Sequence, residues 1–186
     1  MDFILVKMTK LEQKILIMGL DNSGKTCILL SLKDETNLLS YVSLKPTKGL
    51  DISNLENKER DLSIWDCGGQ EQYRNDYLRS FEKYSTKLKK LIYVIDVQDR
   101  DRYELSLQYL KEIIDKLIED KSELDVSIFL HKLDRNLIRQ EKFKDIYEQV
   151  NADLIPKIKT IIPSEFKYKI FTTSINTFFE KTLVHE

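Results

Sequence analysis

The sequence is short of the residues that break a chain or staple it. Only five of 186 residues are glycine and three are proline, so no flexible linker or low-complexity stretch divides it, and residues 1–186 read as one domain. Cysteine is down to two, Cys27 and Cys67. That is too few for the disulfide framework of a small secreted domain, and no signal peptide is evident. Both read as reduced core residues of a cytosolic protein. No apolar run approaches the ~18 residues of a membrane span. Neither charge dominates: 30 basic residues against 31 acidic leave a net charge of −1, which removes the bulk electrostatic case for nucleic-acid binding. Residue 2 is Asp where myristoylation needs Gly, and the closing LVHE holds no Cys to prenylate. Phe3, Ile4, Leu5, Val6 and Met8 form an apolar N-terminal stretch, which either packs on the domain or touches a membrane surface. The expectation is a cytoplasmic protein, at most peripheral to a membrane.

What is present has the balance of a folded domain, with 41% hydrophobic and 33% charged residues. Short apolar runs alternate with longer amphipathic ones. Ile15–Met18 ends at Gly19, Leu62–Trp65 at Asp66, Leu91–Ile95 at Asp96, Val126–Leu130 at His131, and Ile170–Phe171 at Thr172. These lengths suit strands, and the wholly apolar Leu91–Ile95 suits a buried parallel one. Between them, Leu107, Leu110, Ile114, Leu117 and Ile118 share a face at helical spacing, as do Phe143, Ile146, Tyr147, Val150 and Leu154. Pro156 is expected to interrupt the second of these, with a further turn or a kink through Ile158, Ile161 and Ile162. Strand alternating with helix predicts an α/β domain with a largely parallel sheet, whose ligand lies at the carboxyl ends of the strands. Every polar motif below falls at such an end.

The first is GLDNSGKT, Gly19–Thr26. It spends two scarce glycines five residues apart, directly after a predicted strand and before the apolar helix of Ile28, Leu29 and Leu32. Asp21, Asn22, Ser23 and Gly24 are placed to curl so that backbone N–H groups face phosphate oxygens. Lys25 supplies positive charge to the β- and γ-phosphates, and Thr26 a hydroxyl to Mg²⁺. A helix starting near Gly24 aims its positive end at the same anion.

The second is WDCGGQ, Trp65–Gln70. Asp66 closes a strand, where it can hold a Mg²⁺-bound water. Gly68 and Gly69 let backbone approach the γ-phosphate, and Gln70 can orient an attacking water.

With these motifs in order, the chain resembles a small GTPase of the Ras superfamily. GLDNSGKT is similar to the Arf and Arf-like phosphate loop. WDCGGQ, LIYVIDV (Leu91–Val97) and HKLD (His131–Asp134) resemble the Rag/Gtr branch more closely. The resemblance implies a P-loop NTPase fold, a mostly parallel six-stranded sheet with helices on both faces. It implies that Cys27, next to Thr26, belongs to the nucleotide-binding run, and that Thr47 in KPTKG is the switch threonine, reaching Mg²⁺ and the γ-phosphate only with GTP bound. In HKLD, the Asp134 carboxylate would accept the paired ring N–H and exocyclic amine that guanine offers and adenine does not. Lys132 would lay its stem along the base, and His131 would stand where most of the superfamily has Asn. Ser174 and Ile175 match the last base-contacting loop, although Asn176 stands where Ras-like members carry Lys.

The implied activity is hydrolysis of GTP to GDP and phosphate with Mg²⁺. Lys25, Thr47, Gly69 and Gln70 would form the catalytic set, and Thr26, Thr47 and, through water, Asp66 the metal set. No arginine is placed as an internal finger; Arg74 and Arg79 are expected to face solvent or a partner. Slow turnover, an external activating protein, an exchange factor and effectors are therefore expected, and a homo- or heterodimer stays open. The other reading left open is a GTP-binding scaffold or dimer subunit that scarcely hydrolyses.

Overall fold

The computed structural model describes residues 12–32, 40–41, 43–56, 61–120 and 124–176. The N-terminal apolar stretch and the expected last helix from Asn176 to His185 lie outside the described residues, apart from Asn176 itself.

Six strands form one sheet: β1 Glu12–Met18, β2 Leu50–Glu56, β3 Asp61–Cys67, β4 Leu88–Asp96, β5 Asp125–His131 and β6 Tyr168–Thr173. Their order is β2-β3-β1-β4-β5-β6. All pairings are parallel except β2 with β3, where Ile52 faces Trp65 and Leu55 faces Leu62. The five apolar runs are the five parallel strands. β2 showed no such run, because as an edge strand it is half exposed and its LDISNLE is mostly polar.

Side-chain alternation along the strands builds two cores. Leu16 and Met18 of β1, Leu91, Tyr93 and Ile95 of β4, and Val126, Ile128 and Leu130 of β5 face one side. Ile17, Ile64, Ile92 and Val94 face the other, where α1 (Lys25–Ser31) packs Ile28 and Leu29 on them. The first side carries α2 (Glu71–Arg79), α3 (Phe81–Ser85) and α4 (Tyr103–Glu119). Along α4, Tyr103, Ser106, Leu107, Leu110, Ile113, Ile114 and Leu117 make one buried stripe. Ile118 lies beyond its edge in the last turn and is 44% exposed. Leu32 and Tyr147, expected on buried helical faces, are likewise exposed; Leu32 caps the end of α1, and Tyr147 lies in a helix of only four residues.

The Pro156 region does not simply break. A short helix α5 (Ile146–Gln149) widens into a π turn over Val150–Leu154, then resumes as α6 (Ile155–Ile161) with Pro156 in its first turn. Proline has no N–H to give the carbonyl four residues back and its ring crowds that carbonyl; the wider turn relieves both. Phe143 is buried but belongs to a preceding 3₁₀ turn, not to this helix. No helix among the described residues is long and apolar enough to cross a membrane.

β1 is the strand from which the order runs outward both ways, to β3 and to β4. The carboxyl end of β1 thus opens onto the crevice where open α/β sheets bind ligands, and the sequence placed Gly19–Thr26 there.

Candidate functional site

The chain leaves β1 into a loop that turns back on itself before α1. Asn22 and Gly24 both have positive φ, 59° and 92°. At Gly24 a Cβ would also lie 2.5 Å from His131 Cδ2, so glycine is required twice over. Lys25 is buried, and its ammonium donates to the Leu20 carbonyl at 2.7 Å and the Gly19 carbonyl at 3.1 Å. Burial lowers its pKa to about 8 against the pull of the nearby Asp66 carboxylate.

Three oxygen-bearing side chains from distant segments meet beside Lys25. Thr26 Oγ1 donates to Asp66 Oδ2 at 2.6 Å, Thr47 Oγ1 donates to the same oxygen at 3.2 Å, and the two hydroxyls are 2.9 Å apart. Asp66 is fully buried, and its Oδ1 has no hydrogen-bond partner among the described residues. Burial raises its pKa, while the two threonine hydroxyls and Lys25 work in the opposite direction. A buried carboxylate with one spare oxygen and two hydroxyls is a hard oxygen donor set, which fits Mg²⁺.

The loop bearing Thr47 is tied to the WDCGGQ segment. Gly68 N–H donates to the Gly49 carbonyl at 2.8 Å, and Tyr77 Oη of α2 donates to the same carbonyl at 2.7 Å. Gly69 lies against the phosphate loop itself: a Cβ there would stand 2.1 Å from Asp21 N, so no side chain fits. Gln70 caps α2 through its carbonyl, which accepts from Tyr73 and Arg74 N–H at 3.0 Å each. Asp21, Asn22, Gly24, Lys25, Thr26, Cys27, Thr47, Gly69 and Gln70 line one open cleft of about 360 Å³, together with Leu44–Pro46 and Gly68. The two cysteines are free, and burial pushes the Cys67 thiol to about 12.

Across the loop from this cleft lie the HKLD residues. His131 is buried against Gly24, with Nδ1 2.9 Å from Thr173 Oγ1. Burial first, then the Lys132 charge, lower its pKa. Lys132 takes φ 63° and spans outward, its ammonium 2.7 Å from Asp96 Oδ2 and 2.7 Å from the Asn22 carbonyl. Asp134 Oδ2 accepts from Gln98 Nε2 at 3.3 Å, which also donates to the Lys132 carbonyl at 2.8 Å. Ser174 and Ile175 follow β6 on this side, and Asn176 Nδ2 donates to Ser174 Oγ at 3.0 Å.

One expectation is overturned. Arg74 does not face solvent; it is only 9% exposed, its guanidinium lies 5.3 Å from the centre of the Tyr109 ring, and its Nε has no hydrogen-bond partner among the described residues. The reason is its place on the inner face of α2, four residues after Gln70 and three before buried Tyr77. Arg79 is exposed, as expected. Sequence reasoning also passed over Asp96, Gln98 and Arg102. Asp96 left one signal, a carboxylate closing a wholly apolar strand. Gln98 and Arg102 left none, since the partners that tie them to the site, Lys132, Asp134 and Asp21, lie 34 to 81 residues away.

The chain is similar to several known proteins. The Gtr1/RagA G protein conserved region matches residues 14–183. ADP-ribosylation factor-like protein 3 of Caenorhabditis elegans is 34% identical over 145 residues, 77% of this chain and 72% of that protein. The protein of the same name from Chlamydomonas reinhardtii is 36% identical over 123 residues, 66% of this chain and 64% of its own length. Among solved structures, the Arl6 (BBS3) small GTPase of Trypanosoma brucei with the bound nucleotide analogue GppNp superposes with a TM-score of 0.67 at 21% identity, covering 88% of this chain and 87% of that one. The mammalian SRP receptor superposes with a TM-score of 0.61 at 16% identity, covering 87% and 91%. These two share the fold.

Proposed function

The chain belongs to the small GTPases of the Gtr1/RagA G protein family, and on that premise we propose that it is a guanine-nucleotide switch that binds GTP and GDP with Mg²⁺ and hydrolyses GTP slowly. The observation that carries the reading is the meeting of Thr26, Thr47 and Asp66 beside buried Lys25. Three segments contribute one oxygen-rich corner, next to a loop whose glycine geometry leaves its N–H groups for an anion.

In this reading Asp21, Asn22, Ser23, Gly24 and Cys27 surround the phosphates, and Lys25 turns its ammonium from the loop carbonyls to the β- and γ-oxygens. Thr26 and Thr47 offer hydroxyls to Mg²⁺, and Asp66 holds one of its waters. Mg²⁺, when bound, neutralises charge on the phosphate oxygens. Gln70 orients the attacking water from the lip of the cleft, and Gly69 gives its N–H to the γ-phosphate. Asp134 accepts from guanine, Lys132 covers it, His131 braces the base side against Gly24, and Ser174 and Ile175 close it. Among the described residues, Arg74 is committed to the core and Arg102 is paired with Asp21 and Asp99. Slow turnover and an activating protein follow from that. Loss of the γ-phosphate would release the Thr47 loop and the Gly69 segment together, since Gly68 and Tyr77 join them. Effectors and an exchange factor would read that change.

The test is to purify the protein in Mg²⁺ buffer without added nucleotide, denature it, and identify what is released by ion-exchange chromatography. A single-turnover assay with GTP follows. Released GDP with measurable turnover supports the switch. Intact GTP that is never hydrolysed favours a locked scaffold, and adenine nucleotide overturns the assignment of Asp134.

A further inference from the structure

A carboxylate in a cleft meant for a polyphosphate is a liability. Asp21 lines that cleft, and its side chain is 45% exposed. Its charge is met from outside the loop. Arg102 ends the 3₁₀ turn Arg100–Arg102. Its Nη1 donates to Asp21 Oδ1 at 2.9 Å and its Nη2 to the Asp21 carbonyl at 3.3 Å. The guanidinium is anchored from behind, with Nε donating to Asp99 Oδ2 at 2.6 Å and Nη2 paired with the same carboxylate. The bridge spans 81 residues of sequence, so it belongs to the fold and not to the local chain.

The next residue is held in the same way. The Asn22 carbonyl accepts from Lys132, which is anchored on Asp96. Asp96 and Asp99 sit in one turn, closed by Asp99 N–H to the Asp96 carbonyl at 3.3 Å. Two cations, each backed by a carboxylate of that turn, thus grip consecutive residues of the phosphate loop. The recess beneath Arg102 holds only about 10 Å³, which leaves no space for a ligand of its own.

We propose that Arg102 is a positioning residue of the nucleotide site: it neutralises Asp21 and holds that carboxylate outward, so that the loop meets the phosphates with its N–H groups and the nucleotide is retained. The proposal rests on the nucleotide-binding reading above and deepens it. A purely structural tie would stabilise the loop whatever the charge on residue 21. Charge neutralisation makes a different demand: with Asp21 neutral, Arg102 is no longer needed.

The experiment loads the full chain with fluorescent mant-GDP in Mg²⁺ and chases with unlabelled GDP. Arg102→Ala is expected to release nucleotide roughly fivefold faster, the upper range for a partly exposed pair. The gap should shrink in about 1 M salt, where such charges are screened. Arg102→Lys restores most of the retention, and Arg102→Gln, which keeps hydrogen bonds without charge, does not. Asp21→Asn placed in the Arg102→Ala background returns release towards the wild-type rate. An unchanged rate in Arg102→Ala, or a double variant that releases faster still, overturns the proposal while leaving nucleotide binding intact. Should Arg102→Ala not fold, the Lys and Gln variants decide it, and equal rates in those two overturn it. A wild-type chain that captures no mant-GDP brings down the nucleotide reading as well.

Discussion

Single residues here do work that depends on charge and on the space around them. Asp134 offers a carboxylate that Gln98 steadies at 3.3 Å. Asp134→Asn replaces one acceptor with a donor that would face guanine's own N–H groups. Losing a charge-assisted hydrogen bond costs about 1.5–3 kcal/mol, so guanine nucleotide should bind roughly 10- to 100-fold more weakly. Xanthine nucleotide, with a carbonyl in place of the amine, should bind better; competition titrations with both bases check this, and unchanged guanine binding removes Asp134 from the site. His131 carries a pH dependence. Burial and the neighbouring Lys132 hold its imidazole below the ordinary value of 6.5, with Asp96 and Asp134 opposing them. As pH falls below 6.5 the unfolded chain takes the proton more readily than the folded one. Stability from this residue is therefore full above that pH and declines as acid is added, down to the folded-state pKa. Melting temperatures at about pH 7.5 and about pH 5.5 should differ more for the wild type than for His131→Asn, where nothing titrates at this position. Lys25, Thr26, Asp66 and Asp134 could be picked out as candidates because the chemistry proposed for them comes with a local pattern. Arg102 and Gln98 were not, since their meaning lies in contacts that exist only once β4 pairs with β1 and with β5. Arg74 misled for a related reason: an arginine in a polar-looking helix gives no sign that it will lie over Tyr109.

Elements add coupling between those residues. The five parallel strands were readable because burial on both faces makes them apolar, and β2 was not, because an edge strand can be polar on one side. The helical stripe of α4 was readable to within Ile118, where the last turn leaves the core. The Thr47 loop before β2 is one half of the proposed switch, and its tie to α2 is small and specific. Tyr77 Oη and Gly68 N–H share the Gly49 carbonyl, and the Tyr77 ring also packs edge-on to Tyr84 at 5.1 Å. Tyr77→Phe keeps the ring and removes one donor, and the carbonyl keeps Gly68. The cost should sit in the range of a single neutral hydrogen bond, about 0.5–1.5 kcal/mol, in urea unfolding. The same variant should let go of GTP sooner than of GDP if the tie holds the Thr47 loop in its GTP position. Equal acceleration for both nucleotides would make the bond a general stabiliser.

At the scale of the whole molecule, the sheet places every one of these groups at one end. The phosphate loop follows β1, Asp66 is the last residue but one of β3, Asp96 ends β4, His131 ends β5 and Ser174 follows β6. If the five strand ends share the proposed nucleotide site, ligand binding and folding are linked: nucleotide bound to the native state alone would stabilise all of them together. At free nucleotide about 100 times the dissociation constant the gain is about 2.7 kcal/mol, which for a chain of this length corresponds to roughly 5–10 °C in melting temperature. Chelating Mg²⁺ removes the ion on which Thr26, Thr47 and Asp66 are proposed to converge, leaves Lys25 and the loop N–H groups to offset the phosphate charge, and should weaken retention sharply. Treatment with EDTA and a phosphatase, followed by desalting, should therefore lower the melting temperature by that amount, and restoring GDP with Mg²⁺ should recover it. GDP restored without Mg²⁺ should recover only part. If GDP alone recovers the whole of it, the three oxygens at the end of β3 serve the fold and not a metal.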